Sequence, residues 1–513
     1  MAEYVKLDLS KLKEIRSVNP RLVSYNIEMT EVTGGTFWKA YTQAQIDGTE
    51  QVPPPDFSKG FGAMHQWYDP IDTKNPRLIK LAKELGSCWI RVSGTWATKT
   101  YYDWNDEYPK GSAPEGYNNV LKKQQWLSLL DFVKAVDGKL KVSVSNCDGL
   151  HAHDEPWHPS QAELLFATSK EYGVPIEAVE FVNEPNMLKH SGLPKDYTPE
   201  EFRRDQDIFH KWIRDNYPEC LIIGPSDTDP KAMTLDADGN RHPFAAETAL
   251  SAGVAEALPY CSTADLLDGC KEPLDIFSYH YYNGISERMA AMMPAAFTPY
   301  EQCMSEEYLG TASHCARCFT SYRDKYATPN GEMWVTESGD AGGGGHTWAS
   351  TYAEVIRTLN EIGTFATVTD GVIFHNTLAS SDYGWLKHGS FEPRPSYFAV
   401  LLWKKLMGDT VYDSGETIRP GAHVFAHSRK DGKEGKAFLV INTSWTEPTK
   451  VELPAPGEVY ELCGNGSMRS RTMLLCGREL TLSENDALPE LCGRKVESGV
   501  IEVAPGGCTF IVL

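Results

Sequence analysis

The chain reads as an α/β protein: a (β/α)8 TIM barrel followed by a C-terminal β-sandwich. Three observations predict this. Eight short apolar or β-branched runs recur through the first 400 residues. Helix-patterned segments lie between them, as successive β-α units require. After Gly408 the helical pattern stops, and short strands separated by turn residues take over.

The expected barrel strands are Leu22–Ile27, Cys88–Ser93, Leu140–Ser145, Val179–Asn183, Leu221–Gly224, Asp275–His280, Met333–Thr336 and Gly371–His375. Helical patterns cover Pro76–Leu85, Lys122–Val136, Gln161–Tyr172, Pro199–Asn216 and Trp348–Ile362. A doubly wound open sheet would also alternate, but it normally carries a Gly-rich phosphate loop after its first strand, and none stands there. The tail supplies Val424–His427, Lys436–Asn442, Val451–Leu453, Val459–Leu462, Val500–Val503 and Thr509–Leu513, with Asp431-Gly432 and Pro505-Gly506-Gly507 as turns. The expected division is therefore 1–20 as a strand joining the sandwich, 21–408 as the barrel and 409–513 as the sandwich.

With 513 residues and 41% hydrophobic content, the chain can bury a large core plus a smaller one. Its 49 Lys and Arg against 70 Asp and Glu leave a formal charge of −21. Such a surface repels nucleic acid, anionic membranes and sulfated polymers, so a neutral or small partner is expected. The segment Met1 to Asp8 has neither the basic nor the apolar region of a secretory signal, and no run of eighteen apolar residues occurs. The twelve cysteines are scattered, and Cys315 and Cys318 lack an obvious set of further zinc ligands. Reduced thiols in a cytoplasmic protein are the expectation. His151, His153 and His158 likewise have no partner at metal-ligand spacing, so no metal and no cofactor are expected.

Two segments carry the chemistry. Phe181-Val182-Asn183-Glu184-Pro185-Asn186 ends the fourth expected strand, and Trp334-Val335-Thr336-Glu337-Ser338 ends the seventh. Catalytic groups of a barrel come from the C-terminal ends of its strands. A pair of carboxylates there suits hydrolysis of a glycosidic bond, one held protonated as the acid and the other ionised as the nucleophile. Asn183 stands where it can reach the sugar hydroxyl beside the reacting carbon. The four glycines Gly342 to Gly345 offer backbone N–H groups to an anion with no side chain in the way. His280 ends the sixth strand and should face the pocket.

Asn-Glu-Pro after strand four and a glutamate after strand seven are similar to the clan A retaining glycoside hydrolases. Within that clan the chain most resembles the heparanase and β-glucuronidase family, glycoside hydrolase family 79. Further motifs carry the likeness: Arg91-Val92-Ser93-Gly94-Thr95, His280-Tyr281-Tyr282, the glycine-rich segment after Glu337, and Pro395-Ser396-Tyr397-Phe398 with Trp403 to Gly408. The resemblance implies that Glu184 is the acid/base and Glu337 the nucleophile. It implies that Tyr281 hydrogen-bonds the nucleophile, that Glu28 grips sugar hydroxyls, and that Tyr383 with the N–H groups of Gly343 and Gly344 reads a uronic-acid carboxylate. Ser338 stands where the resembled enzymes have threonine. The expected activity is exo-acting cleavage of small β-glucuronides. The alternatives are another clan A retaining glycosidase, of β-xylosidase, β-glucosidase or iduronidase type, and a carbohydrate-binding barrel without turnover.

Overall fold

A computed structural model describes residues 3–109, 111–228, 260–327, 332–369 and 371–513. Eight parallel strands close into a barrel in chain order: Val23–Glu28, Trp89–Ser93, Lys139–Val142, Ile176–Val179, Leu221–Asp227, Ile276–Tyr282, Met333–Gly339 and Ile373–His375. The last pairs with the first, Ile373 opposite Val23. Every expected strand is present. The fourth lies a few residues earlier than predicted, because its regular pairing stops at Val179 and the chain then bends towards the rim. Glu180 N–H still donates to Val142 and Phe181 still accepts from Val144.

Helices Pro76–Glu84, Lys123–Ala135, Ala162–Glu171, Pro199–Asn216, Glu306–Tyr326, Ala353–Val368 and Pro395–Leu406 surround the strands. Their starts follow local chemistry. Asn75 Oδ1 accepts from the N–H groups of Arg77 and Leu78, with Pro76 first in the helix. Thr198 and Glu201 satisfy one another's backbone N–H groups at the start of Pro199–Asn216. The helix expected from Trp348 begins at Ala353.

Strand alternation sorts the barrel into two faces. Tyr25, Ile27, Ile90, Val92, Leu140, Val142, Ile222 and Phe277 point outward into the core shared with the helices. Inside, Trp89, Ala178, Ile223, Ile276, Trp334, Val372 and Phe374 form an apolar floor. Above that floor the inward positions turn polar: Arg91 and Lys141, each two residues after a strand's start, meet the buried Glu180. The barrel's mouth therefore stands on a charged layer carried by a dry one.

Beyond the barrel, a nine-stranded sheet and a three-stranded sheet share a second core of Val5, Val424, Phe438, Val440, Val451, Val459, Val503 and Ile511. The other face of the larger sheet, with Phe425, Leu439, Ile441 and Phe510, joins the barrel's outer core. It comes so near helix Ala353–Val368 that a Cβ on Gly363 would lie 2.5 Å from the Phe425 ring. Tyr4–Lys6 pairs in parallel with Thr449–Leu453, and Lys13–Ser17 pairs with Met407–Asp413. All twelve cysteines are free thiols, and among the described residues no helix is long and apolar enough to cross a membrane.

Candidate active site

A cavity of about 400 Å³ opens at the C-terminal end of the barrel strands and is lined by Glu28, Asn183, Glu184, His280, Tyr282, Glu337, Gly343, Asn376 and Tyr383 among others. A second cavity of about 500 Å³, lined by Arg77, Arg394, Arg471 and Asp486, shares no residue with it and contains neither carboxylate of the predicted pair.

Glu337 lies within the seventh strand, opposite His280 of the sixth. Three donors converge on it. Arg91 Nη1 donates to Oε2 at 3.1 Å, while the Tyr282 hydroxyl and Asn376 Nδ2, at 3.2 Å, donate to Oε1. Glu184 sits on the rim with φ +46°, in the left-handed region that non-glycine residues rarely occupy, and its N–H is tied to Ser226 O at 3.1 Å. His280 stands between the two acids, with Nδ1 2.9 Å from Glu184 Oε1 and 3.7 Å from Glu337 Oε2. Arg91 Nη2 approaches His280 Nε2 at 3.3 Å. A guanidinium only donates, so Nε2 accepts and the ring proton on Nδ1 is given to Glu184. Burial, and then the Arg91 charge, hold His280 well below its ordinary pKa, in keeping with a neutral ring.

Burial first, and the neighbouring Glu337 charge second, raise Glu184 well above the usual carboxylate range. Glu28 is raised for the same two reasons. Its position also requires Gly94, since a Cβ there, at φ +95°, would lie 1.6 Å from Glu28 Oε2. Arg91 is completely buried and clamps three groups at once: Glu337, Asn183 Oδ1 at 2.6 Å, and Glu180 Oε1 at 3.1 Å. Against the burial that would raise it, Arg91 and Lys141 hold Glu180 well below the usual range. With Oδ1 taken by Arg91, the Asn183 amide presents its NH₂ at the cavity, 3.3 Å from Thr95 Oγ1.

The structure brings Glu184, Glu337, Glu28, Asn183, His280, Gly343 and Tyr383 to one cavity. It moves one assignment. Tyr281 turns outward, its hydroxyl 2.7 Å from Thr311 Oγ1 and its ring edge-on to Phe365, while Tyr282 bonds Glu337. The reason is the two-residue period of a strand: if His280 faces inward, 282 does and 281 does not. That signal was present in the sequence. The same period places Asn376 rather than His375 in the cavity; His375 stacks on Trp385. Gly344 is not part of the cavity wall, because its side faces Trp38 and Arg288. Gly342 and Gly345 give their N–H groups to Gly284 and Ala341, whereas no protein acceptor is found for those of Gly343 and Gly344 among the described residues.

Trp38, His65 and Trp96 form an aromatic wall, with His65 4.6 Å from Trp38 and 5.7 Å from Trp96. Trp38 and His65 come from a hairpin of Gly35–Trp38 with His65–Tyr68 that follows the first barrel strand. Sequence reasoning did not single out this wall, because the two strands of the hairpin lie far apart in the chain. His151, His153 and His158 bind separate partners, Asn146, Glu201 and Leu150 O. Among the described residues the sole group with metal-ligand geometry is Glu184, His280 and Glu337, whose ligating atoms lie within 4.8 Å of one another. The Arg91 guanidinium, in contact with two of the three, already supplies positive charge there.

No family model matches the chain. Heparanase-like protein 1 of Arabidopsis thaliana is 25% identical over 498 residues, covering 86% of this chain and 85% of the relative. The hyaluronoglucuronidase of Hirudo nipponia is 23% identical over 464 residues, 82% and 86% of the two chains. Over a shorter span of 188 residues, 35% of this chain and 36% of the relative, baicalin-β-D-glucuronidase of Scutellaria baicalensis is 30% identical. The solved 4-O-α-L-rhamnosyl-β-D-glucuronidase from Fusarium oxysporum 12S shares the fold at a TM-score of 0.61, with 12% identity and complete coverage of both chains. The closed barrel, together with these relatives, defines a glycoside hydrolase. Within that class the chain is similar over most of its length to the heparanases and glucuronidases, as its motifs implied.

Proposed function

We propose that the chain is a retaining, exo-acting β-glucuronidase that cleaves small glucuronides by double displacement through Glu184 and Glu337. The observation that carries this reading is the pairing of two carboxylates, with oxygens within 4.8 Å, in opposed environments. A separation of about 5 Å suits retention, whereas inverting enzymes need roughly 6.5–9.5 Å to seat a water. Glu184 is kept protonated by burial and by its neighbour. Glu337 faces three hydrogen-bond donors, as a carboxylate nucleophile requires.

In the first step Glu184 gives its proton to the glycosidic oxygen while Glu337 attacks the anomeric carbon. The C–O bond to the leaving group breaks and a glycosyl ester of Glu337 forms. Covalent capture removes the Glu337 charge, so Glu184 is freer to ionise. In the second step Glu184 takes a proton from water, whose oxygen attacks the anomeric carbon from the face the leaving group vacated and displaces Glu337 as its carboxylate, and the acid form of Glu184 returns. Asn183 and Glu28 hold sugar hydroxyls. The N–H of Gly343, which has no protein acceptor among the described residues, and the Tyr383 hydroxyl receive the uronic carboxylate in this reading. Neither metal nor cofactor enters the sequence of steps.

The test is hydrolysis of nitrophenyl β-glucuronide, β-glucoside and β-xyloside, followed by NMR of the first sugar released. Exclusive turnover of the glucuronide with β-glucuronic acid appearing first is the expected result. The α-anomer first would overturn the retaining mechanism, and preference for a neutral sugar would overturn the glucuronide reading.

A further inference from the structure

Behind the glycine-rich side of the cavity, one buried guanidinium ties three segments of the chain together. Arg288 lies beyond the end of strand six and is 5% exposed. Its Nη1 donates to Gly343 O at 3.1 Å and to Gly345 O at 3.3 Å, on either side of Gly344. Its Nη2 donates to Lys39 O, just past the strand Gly35–Trp38, and to Asp382 Oδ2 at 3.1 Å. Asp382 immediately precedes Tyr383 and also accepts from the Tyr41 N–H, while the Tyr41 ring lies 3.7 Å from the guanidinium carbon. The cavity is lined by Gly343 and Tyr383 but not by Arg288, and among the described residues no lysine or arginine lines it.

We propose that Arg288 is a positioning residue: without touching the sugar, it holds the glycine loop and the Tyr383 segment so that their neutral donors converge on the uronic carboxylate. The proposal rests on the glucuronidase reading and adds the residue on which its carboxylate recognition depends. In a planar trans peptide each N–H is antiparallel to the preceding C=O. Gly342 O is held by the Ser286 N–H at 2.9 Å, and Gly343 O by Ser286 Oγ at 2.9 Å and by Arg288. The N–H groups of Gly343 and Gly344 are therefore turned away from Ser286 and Arg288, and neither meets a protein acceptor among the described residues. The loop also touches the tyrosine, since a Cβ on Gly345 would lie 3.2 Å from the Tyr383 Cβ. A wall without a cation recognises an anion through the direction of its dipoles, so the group that fixes those directions sets the affinity. Arg288 adds its own field: burial and then this charge lower His65, on the same cavity, to about 4.

The test is Arg288→Gln and Arg288→Lys in the full chain, with kcat and KM measured on nitrophenyl β-glucuronide. KM does not depend on how much of a preparation is folded, so it separates positioning from loss of fold. In Arg288→Gln, KM should rise about ten-fold while kcat per folded molecule changes less than about three-fold, because the carboxylate is gripped alike in ground and transition states. Arg288→Lys retains a charge for Asp382 but not the planar fork, so its melting temperature should recover towards the wild type while KM stays raised about three-fold or more. An unchanged KM in both variants overturns the proposal, whatever happens to the melting temperature. If the wild type hydrolyses no glucuronide, the functional reading fails first, and calorimetric titration of D-glucuronate into the wild type and Arg288→Lys decides the matter. Binding to the wild type that weakens about three-fold or more in the variant supports the positioning role; equal binding, or none to the wild type, overturns it.

Discussion

Adjacent tyrosines on the sixth strand give a sharp test of which face of that strand works. Replacing Tyr282 with phenylalanine removes the hydroxyl that donates to Glu337 Oε1 and accepts from Asn376 Nδ2 at 3.1 Å. A hydrogen bond to a charged group contributes about 1.5–3 kcal/mol. At about 1.4 kcal/mol per decade, kcat/KM on nitrophenyl β-glucuronide should fall about 10- to 150-fold. The change is at the cavity wall, so the melting temperature should hardly move. Replacing Tyr281 removes a buried neutral bond to Thr311 Oγ1, which keeps its own bond to Tyr308 O. The cost there is about 1 kcal/mol of stability, a shift of about 1–2 °C in a chain of this length, with little effect on rate. The assay is the pair of measurements, rate and melting curve, on both variants. A larger rate loss from Tyr281→Phe than from Tyr282→Phe would refute the inward placement of Tyr282 and the hydrogen-bonding role drawn from it.

Glu184→Gln should lower turnover of leaving groups that need protonation by about 10²–10⁴-fold. In the proposed first step Glu184 works protonated, and its pKa is raised, so kcat/KM of the wild type should decline on the alkaline side, as pH passes through that raised value. With glucuronosyl fluoride as substrate, Glu184→Gln should lack that decline, and its persistence would assign the decline to another group. Glu31 provides a pH test of stability: burial raises it to about 8, against the bond it accepts from the Glu28 N–H. Its protonated form favours the fold, so this contribution is complete below about pH 4.5 and is lost as pH rises to about 8. Glu31→Gln should therefore gain melting temperature relative to the wild type between pH 5 and 9; parallel curves would show that Glu31 does not titrate in this way.

Much of this architecture is legible in the chain because periodicity is a local property. Trp89-Ile90-Arg91-Val92-Ser93 alternates two environments within five residues, and the structure puts Ile90 and Val92 among the helices with Trp89 and Arg91 inside. Asn183-Glu184-Pro185 and Glu337-Ser338-Gly339 are legible as well, since a carboxylate at the end of an apolar run has few structural reasons to be there. The assignment of Tyr281 went astray because the resemblance was read over the alternation that already excluded it.

By itself the sequence determined the barrel and the positions of Glu184 and Glu337 at the ends of its fourth and seventh strands, which follow from spacing along the chain. Only the tertiary structure decided how Arg91 and Lys141, on two different strands, and Glu180, just past the end of a third, form one buried ionic layer beneath the site. It alone folded the Gly35–Trp38 hairpin over the mouth and set His280 between the two glutamates. The physical reason is that inward direction is fixed by each strand's own alternation. Which inward side chains meet depends on the stagger between strands and on the path of long loops, and no local pattern encodes either one.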